Sequence, residues 1–510
     1  MKTKRAEDLI RSKISGLRDT VKKLESENSK LRGQLASLQQ VRKKQVGLSK
    51  HSYLFGHTKY TIRDPIYGSI PLSAEAYKTL NCKCMQRLRG LKQNGAVHLV
   101  YTGSTHTRLS HSIGVYHLAR MVLQRLVSQP KGEEIEPELG KALLAASLVH
   151  DVGHFPFSHA LEELKFKNFH PNHEKFTCAL ISEDDELQGL ITKEWGVGVD
   201  TVISLIAKSD SDDTVPPFLK AILNSSIDID KMDYLQRDAY HAGVPYGSVE
   251  HVRLIESLRI DPQNNELTVH ERGVASIESL LFAKYLMFRN VYWHHGVRIV
   301  TAMIKRASLD FILNLGYDIK DINTDTPEIK RLLRATDDTF LRDMKNMLDE
   351  RKLKPPKSIC LLERIGQRRL LKRAVTLNCE EEPDLDRKFR DPLEKRETEA
   401  TVCEEFSKCH ALKGKKLDKC DILIDVPEPE YFIGGSPPGE FADPPRIFFD
   451  DPPPTFSDGR VPWGNTKYIS SFDEATLRTM EERIRKIRYV YNPDIPELKE
   501  IIRKNISKFK

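Results

Sequence analysis

The chain has little cysteine, no long apolar run and no strong excess of one charge. Eight cysteines in 510 residues are too few for a disulfide scaffold. Cys82-x-Cys84 and the trio Cys403, Cys409 and Cys420 beside His410 follow no common zinc spacing, so reduced thiols in a cytoplasmic protein are expected. No uninterrupted apolar stretch reaches about 18 residues, which excludes an expected transmembrane helix. The start, "MKTKRAEDLIRSK", lacks the apolar core of a secretion signal. A net charge of +7, from 80 Lys+Arg against 73 Asp+Glu, describes a mixed surface. It argues against a nucleic-acid-binding tail and leaves local basic patches that suit an anionic small molecule.

The length calls for two or three folding units. Residues 1–45 read as a coiled coil. Ile10, Leu17, Leu24, Leu31 and Leu38 recur every seventh residue, and Ile14, Val21, Asn28 and Leu35 fall between them. Leucine in one seam position, β-branched residues in the other and a single asparagine favour a parallel, in-register dimer. Residues 46–57 read as a linker. From Tyr60 the texture changes: "YTIRDPIYGSIPLS" is a strand, a turn at Asp64-Pro65 and Gly68, and a strand. Helical patterns dominate from Ala74 to Tyr317, broken by one strand at 266–271. Residues 325–375 look helical and basic, and the charged segment that follows, through Phe406, is poorly patterned. "CDILIDVPEPEYFI" reads as strand. The segment 434–465 reads as a Pro/Gly-rich loop without regular structure. "DEATLRTMEERIRKIRYVYNP" is a helix that turns to strand. The expected fold is mainly α: a helical core over 58–315 with small β elements, the N-terminal coiled coil, and a mixed α+β region over 316–510.

One window stands out. "SLVHDVGHFPFSHALEE", Ser147–Glu163, follows a helix of plain helix formers and ends in imidazole and carboxylate. His150 and His154 are four residues apart, with Asp151 between them. Such a donor set suits a divalent transition ion, Mn, Fe, Co, Ni or Zn. Two adjacent ligands rarely complete a site. Further donors are offered by His111 in "THTRLSHS" and by Asp228, Asp230, Asp233 and Asp238 in "SSIDIDKMDYLQRDAYHAG".

The order His111, His150-Asp151, Asp230 resembles the H…HD…D signature of HD-domain phosphohydrolases. "DPIYGSIPL", "MQRLRGLKQNGAVHLVYTGSTHTRLSHSIGVYHLA", "LVHDVGHFPFSHALEE", "NHEKFT", "DIDKMDYLQRDAYHAG" and "RNVYWH" are similar, in the same order, to the deoxynucleoside triphosphate triphosphohydrolases. That group contains the sterile-alpha-motif-and-HD-domain enzymes and the bacterial dGTPases. The resemblance covers about residues 58–310, and the coiled coil stands where the sterile alpha motif would be. It implies that His111, His150, Asp151 and Asp230 ligate the metal. His154, His159 and His173 would line the phosphate side, with His159 transferring a proton and Glu162 orienting it. Arg108 and Lys231 would hold phosphate oxygens. Tyr234 and Asp238 would meet the sugar, assisted by Gln93, with Tyr292 packed beneath it. The implied reaction is metal-assisted hydrolysis of a dNTP to a nucleoside and inorganic triphosphate, with Mg²⁺ accompanying the triphosphate.

This chain departs from the family at the substrate end. Lys284, Phe288 and Trp293 replace Arg, His and Gln of the vertebrate-type enzymes, so base preference does not transfer. Gln86 and Arg89 remain at an implied nucleotide effector site, but Asn81 stands where effector-activated members use Asp. Partners implied are the dNTP, an effector, further copies of this chain through the coiled coil and HD core, and a protein partner. Two other readings stay open: a nucleotide-sensing regulator or scaffold that uses the pocket for binding, and an HD-type phosphodiesterase or nuclease.

Overall fold

The structure is a computed structural model that describes residues 50–56, 58–129, 135–166, 168–207, 214–261, 265–318, 320–412, 415–429, 446–448 and 474–508. The coiled coil expected over 1–45 lies outside these residues, as does 434–465 apart from 446–448. The chain divides into two compact units, 1–56 and 57–510. In the first, the described residues include one helical turn, Ser52–Phe55, within the stretch read as linker.

The second unit opens with an antiparallel hairpin, β1 (Tyr60–Asp64) and β2 (Gly68–Leu72), in which Ile62 pairs with Ile70. The turn is fixed by Asp64, whose Oδ1 accepts from the backbone N–H groups of Ile66 and Tyr67 at 2.9 and 3.0 Å. Gly68 supplies the positive φ of 76° that the turn requires. The short helices Ala74–Leu80 and Lys83–Arg87 follow.

The site rests on five helices: α1 (Arg108–Leu126), α2 (Pro137–Val149), α3 (His159–Glu162), α4 (His173–Glu183) and α5 (Ile229–Ala242). Their ends follow ordinary capping chemistry. Pro137 occupies the first turn of α2, Asn172 caps α4 through the Lys175 N–H, and Asp228 caps α5 through the Lys231 N–H. Gly243 ends α5 in the left-handed conformation, φ 68°. α1 is buried on nearly all sides, and its buried residues include Arg108, His111 and Arg120. A helix that is interior all round has no need of such residues for packing; Arg120 donates to the Pro71 carbonyl, while Arg108 and His111 mark the start of α1 as a place of function.

Beyond α5, β3 (Leu258–Ile260) pairs antiparallel with β4 (Leu267–His270). Then come α6 (Val274–Met287), a single π turn at Phe288–Tyr292, and the buried α7 (His295–Asn314). The apolar core does not stop at residue 315. Phe155, Leu161, Val300, Phe340, Leu423 and Val490 belong to one cluster. In the C-terminal region β5 (Lys372–Asn378), β6 (Ile422–Asp425) and β8 (Lys486–Tyr491) form an antiparallel sheet in the order β5-β8-β6. The expectation of helix through residue 375 is corrected by β5. The charged segment read as poorly patterned forms helices Pro383–Arg390 and α8 (Pro392–Ser407). Asp391 caps α8 and Pro392 starts it, and one charge of the segment, Glu399, is buried against Arg306 Nη1 at 2.5 Å and the Ile424 N–H at 2.7 Å.

A further correction falls in the Pro-rich segment. Arg446–Phe448 form a strand, β7, parallel to β4 with Val269 opposite Ile447. Prolines flank these three residues but none lies among them, so their N–H groups remain available to the ladder. Among the described residues, no helix is long and apolar enough to cross a membrane.

Candidate metal centre

α1 starts where the Arg108 N–H bonds to the Leu91 carbonyl at 2.9 Å, which fixes His111 one turn into the helix. α2 ends at Val149, so His150 and Asp151 stand at its C-terminus. Asp230 lies in the first turn of α5. These three helix ends bring four donors together. His111 Nε2 lies 2.9 Å from Asp230 Oδ1 and 3.3 Å from His150 Nε2. His150 Nε2 lies 3.7 Å from Asp230 Oδ1 and 3.5 Å from Asp151 Oδ1. His111 Nε2 is 3.9 Å from Asp151 Oδ2.

The other ring nitrogens show why this cluster fits a cation. His111 Nδ1 lies 2.8 Å from Asp233 Oδ2, and His150 Nδ1 lies 2.9 Å from the Ser147 carbonyl. Both partners only accept, so in the neutral imidazoles the proton sits on Nδ1 and the converging Nε2 atoms present lone pairs. Asp233 is completely buried and itself held by Arg237 Nε and Nη2 at 2.9 and 2.8 Å, while Arg237 Nη1 reaches Asp64 Oδ2 at 2.7 Å. The hairpin turn is thereby tied to the donor cluster. Burial alone would depress the His111 pKa, yet Asp230 and Asp233 raise it to about 10. The cluster therefore favours positive charge. Two neutral imidazoles and two carboxylates are a donor set for a divalent ion.

A second group adjoins the first. Glu162 accepts at both oxygens, from His159 Nδ1 at 2.7 Å and His173 Nδ1 at 2.6 Å. The His173 ring stacks on His154, centroids 4.3 Å apart and planes 16° apart. The stacked rings are pushed in opposite directions. Burial lowers the His173 pKa, but Glu162 outweighs it and lifts the group to about 9. His154 is held well below 6.5 by burial, with Arg108 and His173 adding to the effect. His154 Nδ1 accepts the Phe155 N–H at 3.2 Å, so this neutral ring carries its proton on Nε2. His159 is far more open, its side chain 69% exposed. Donor atoms lie within 4.8 Å of one another in three groups: His111, His150 and Asp151; Asp151, His154 and His173; and His154, His159 and Glu162.

The bend between the two groups is made at four residues. A Cβ on Gly153 would lie 2.2 Å from the Thr177 nitrogen. Phe157 and Ser158 adopt φ of 55° and 53°, a conformation that costs a non-glycine residue about 1–3 kcal/mol each. Pro156 precedes them. Asp337 holds the bend from the C-terminal region, with its two oxygens on the N–H groups of Phe157 and Lys92 at 2.7 and 2.9 Å. Arg87 Nη2 donates to the His154 carbonyl at 2.6 Å.

Arg108 Nη1 bonds Asp151 Oδ2 at 2.6 Å, and its other donors reach Ser158 Oγ and the Gln93 carbonyl. The opposing pulls on Asp151, burial upward and Arg108 with His150 downward, leave it well below the usual carboxylate range. Lys231 Nζ donates to Asp228 Oδ2 at 2.5 Å and to the Ser225 carbonyl at 2.9 Å. Tyr234 lies on α5 between Asp230 and Asp238, half-buried. Asp238 and Tyr292 meet directly, Oη to Oδ2 at 2.5 Å. Gln93 is buried, with no partner for its Oε1. Arg89 Nε donates to Gln86 Oε1 at 2.7 Å, and Asn81 Nδ2 donates to the Tyr77 carbonyl at 2.7 Å. All eight cysteines are free thiols.

Residues 108–238 match the HD domain, and residues 249–433 match the HD associated region. The chain carries an HD domain. Every donor of the four-residue cluster lies inside that match. The uncharacterized protein YwfO of Bacillus subtilis is 34% identical over 251 residues, 48% of this chain and 55% of that protein. The deoxynucleoside triphosphate triphosphohydrolase SAMHD1 of Homo sapiens is 26% identical over 406 residues, 73% of this chain and 63% of that enzyme. The chain thus spans less than two thirds of the length of these relatives. A solved phosphohydrolase from Bacteroides thetaiotaomicron shares the fold with a TM-score of 0.58, at 23% identity, over 85% of this chain and 99% of that one.

Sequence reasoning offered Asp233 only as a possible metal donor, not as the partner of His111 Nδ1, and it missed Arg237, Asp64 and His106. Asp233 had a signal, since it follows Asp230 by one helical turn. The Asp64–Arg237 contact spans 173 positions and had none.

Proposed function

We propose that this HD protein hydrolyses deoxynucleoside triphosphates to a deoxynucleoside and inorganic triphosphate, in a divalent-ion-dependent reaction. The observation that carries this reading is the junction at Asp151, where the cluster of His111, His150, Asp151 and Asp230 adjoins the array of His154, His159, His173 and Glu162. Bound there, a divalent ion supplies charge that polarises the α-phosphoryl group and acidifies water. The chain supplies the rest. His111, His150, Asp151 and Asp230 hold the ion. His173, protonated, and Arg108 offset phosphate charge. His159 donates its Nδ1–H to Glu162, and as the imidazolium it delivers its Nε2 proton to the departing 5′ oxygen, to be restored by the proton that the attacking water loses. One water adds to the α-phosphorus, the P–O5′ bond breaks, and the nucleoside leaves neutral.

Lys231 reaches a phosphate by turning from Asp228 or Ser225. Tyr234, Asp238, Gln93 and Tyr292 form the sugar end. Mg²⁺ enters with the triphosphate. Asn81, Gln86 and Arg89 form an effector-nucleotide site, a reading supported by the resemblance alone. Residues 1–45 pair copies of the chain in a parallel coiled coil, and the protein works in the cytoplasm, with a protein partner.

The test is product identification. Purified protein is incubated with each dNTP, each NTP, a cyclic dinucleotide and single-stranded DNA, in Mg²⁺ or Mn²⁺, and products are separated by anion exchange. Inorganic triphosphate from dNTPs, absent with Asp151→Ala, supports the reading. Release of single phosphates contradicts it.

A further inference from the structure

Helix α3 is a single turn, and it carries His159. A turn that short has no stability of its own, because nucleation fixes several dihedrals for one hydrogen bond. Its ends must be held by the rest of the molecule. At its N-terminal end stands the bend at Phe157 and Ser158, held by Asp337. At its other end the Glu163 N–H bonds to the His159 carbonyl at 3.1 Å and closes the turn. The Glu163 side chain is gripped by α7. Its Oε1 accepts from Arg298 Nη1 at 2.6 Å, and its Oε2 accepts from Arg298 Nη2 at 2.9 Å and Lys305 Nζ at 2.7 Å. The two bases lie about two turns apart on one face of α7. The grip is braced from behind by the C-terminal sheet. Arg298 Nε and Nη2 reach Asp425 Oδ1 at 3.2 and 2.7 Å, and Arg488, opposite Asp425 in the β6–β8 ladder, donates to its Oδ2 at 3.3 Å. The side chains of Glu163, Arg298, Lys305 and Asp425 are at most 12% exposed. Buried ion pairs seldom stabilise a fold more than apolar packing of the same volume. A bidentate Arg–carboxylate contact does add direction, since it fixes two atoms at once. Ala160 and Leu161 bury the inner face of the turn, but apolar burial is non-directional and does not set its rotation. The exposed His159 ring therefore points where the backbone under it is held, and Glu163 holds that backbone.

We propose that Glu163 is a positioning residue: clamped by Arg298 and Lys305, it holds the single turn of α3 so that His159 Nε2 faces the departing 5′ oxygen. The proposal rests on the hydrolase reading above and on proton delivery by His159. It differs from a purely structural role because it concerns one proton transfer, which a suitable leaving group makes unnecessary.

The experiment measures kcat and KM in the full-length protein, wild type, His159→Ala and Glu163→Ala, on a dNTP and on its analogue with sulfur in place of the bridging 5′ oxygen. In the analogue, water adds to the α-phosphorus, the P–S bond breaks, and the sulfur leaves as a thiolate that needs no proton, because a thiol is far more acidic than an alcohol. A displacement of about 1 Å at a reacting group costs up to about 100-fold, so Glu163→Ala is expected to lower kcat for the dNTP about 10- to 100-fold, with KM and the analogue's kcat within about threefold of wild type. His159→Ala is expected to show the same pattern with a larger fall. If Glu163→Ala does not fold, Glu163→Gln takes its place. It keeps the volume but turns an amide N–H toward the donors of Arg298 or Lys305, and the same selective loss is expected. An equal fall for both substrates, a change in KM alone, or an unchanged kcat in the Glu163 variant overturns the proposal. Wild-type protein that releases no inorganic triphosphate from the dNTP overturns the hydrolase reading, and His159→Ala that fails to spare the analogue overturns proton delivery by His159; the proposal falls with either.

Discussion

Asp233→Asn should weaken metal binding although residue 233 is not a ligand. The substitution keeps the shape of a side chain that is completely buried and holds His111 Nδ1 at 2.8 Å. It removes the charge that burial would disfavour and that Arg237 and His111 sustain. Asparagine still offers one oxygen, which cannot serve His111 and both Arg237 bonds equally well. If its amide turns toward His111, Nδ1 must accept, and the proton moves to the nitrogen facing the metal. Loss of such a partner lowers metal affinity by about 10- to 100-fold, or about 1.4–2.8 kcal/mol. Arg237, fully buried, keeps Asp64 but loses its second carboxylate. That costs folding about 3 kcal/mol, the lower end for breaking a buried pair, because hydrogen bonds remain. The two effects are separable. Isothermal titration of the metal-stripped protein with Mn²⁺, well below the melting temperature, reads affinity, and a thermal melt reads stability. A variant that melts earlier but binds Mn²⁺ as tightly as wild type would refute the reasoning and leave Asp233 a residue of the fold alone.

Further outcomes are expected. Gly114→Ala places a Cβ 1.9 Å from Asp233 Oδ1 and 2.4 Å from Arg237 Nη2, so it should lower both melting temperature and metal content; wild-type values for both would contradict the packing. Asp337→Ala removes acceptors for two backbone N–H groups at the strained bend, which should cost about 1–3 kcal/mol each in denaturant melts and reduce kcat more than it raises KM. Arg298 joins Glu163, at 2.6 and 2.9 Å, to Asp425 at 2.7 Å, and Lys305 adds to Glu163 at 2.7 Å. Asp425→Ala should therefore destabilise by about 3–5 kcal/mol. Burial would raise the Glu163 pKa, but Arg298 and Lys305 drive it well below the carboxylate range. Its contribution is thus present above the unfolded pKa of about 4.3 and is lost as pH falls below it, so Glu163→Gln should flatten the fall in melting temperature on the acid side. An unchanged acid slope would show that this cluster does not set the acid limit.

The donor set was legible because it is written in types and order. His111, His150, Asp151 and Asp230 sit at helix ends that the sequence marks with caps and a proline, and a helix end needs no imidazole for its own sake. The hairpin was legible from Asp64-Pro65 and Gly68, which serve a local turn. What escaped was non-local. Asp233 completes the centre only through Arg237 and a hairpin far away in sequence. His106 meets Asp238 because Gly103 permits a close approach that no periodicity encodes. β5 was hidden because its residues alternate charge with apolar character weakly, and its place is set by pairing with β8. Helix α8 was hidden because Glu399, which looks like surface, is buried against Arg306.

In the proposed reaction, water attacks the α-phosphorus at this divalent-ion site. The most direct measurement is turnover of a dNTP by Mn²⁺-loaded protein in ¹⁸O-labelled water, followed by mass analysis of both products. Attack at the α-phosphorus places one labelled oxygen in inorganic triphosphate and none in the deoxynucleoside, and Asp151→Ala yields neither product. Label in the deoxynucleoside, or release of single phosphates, would contradict it.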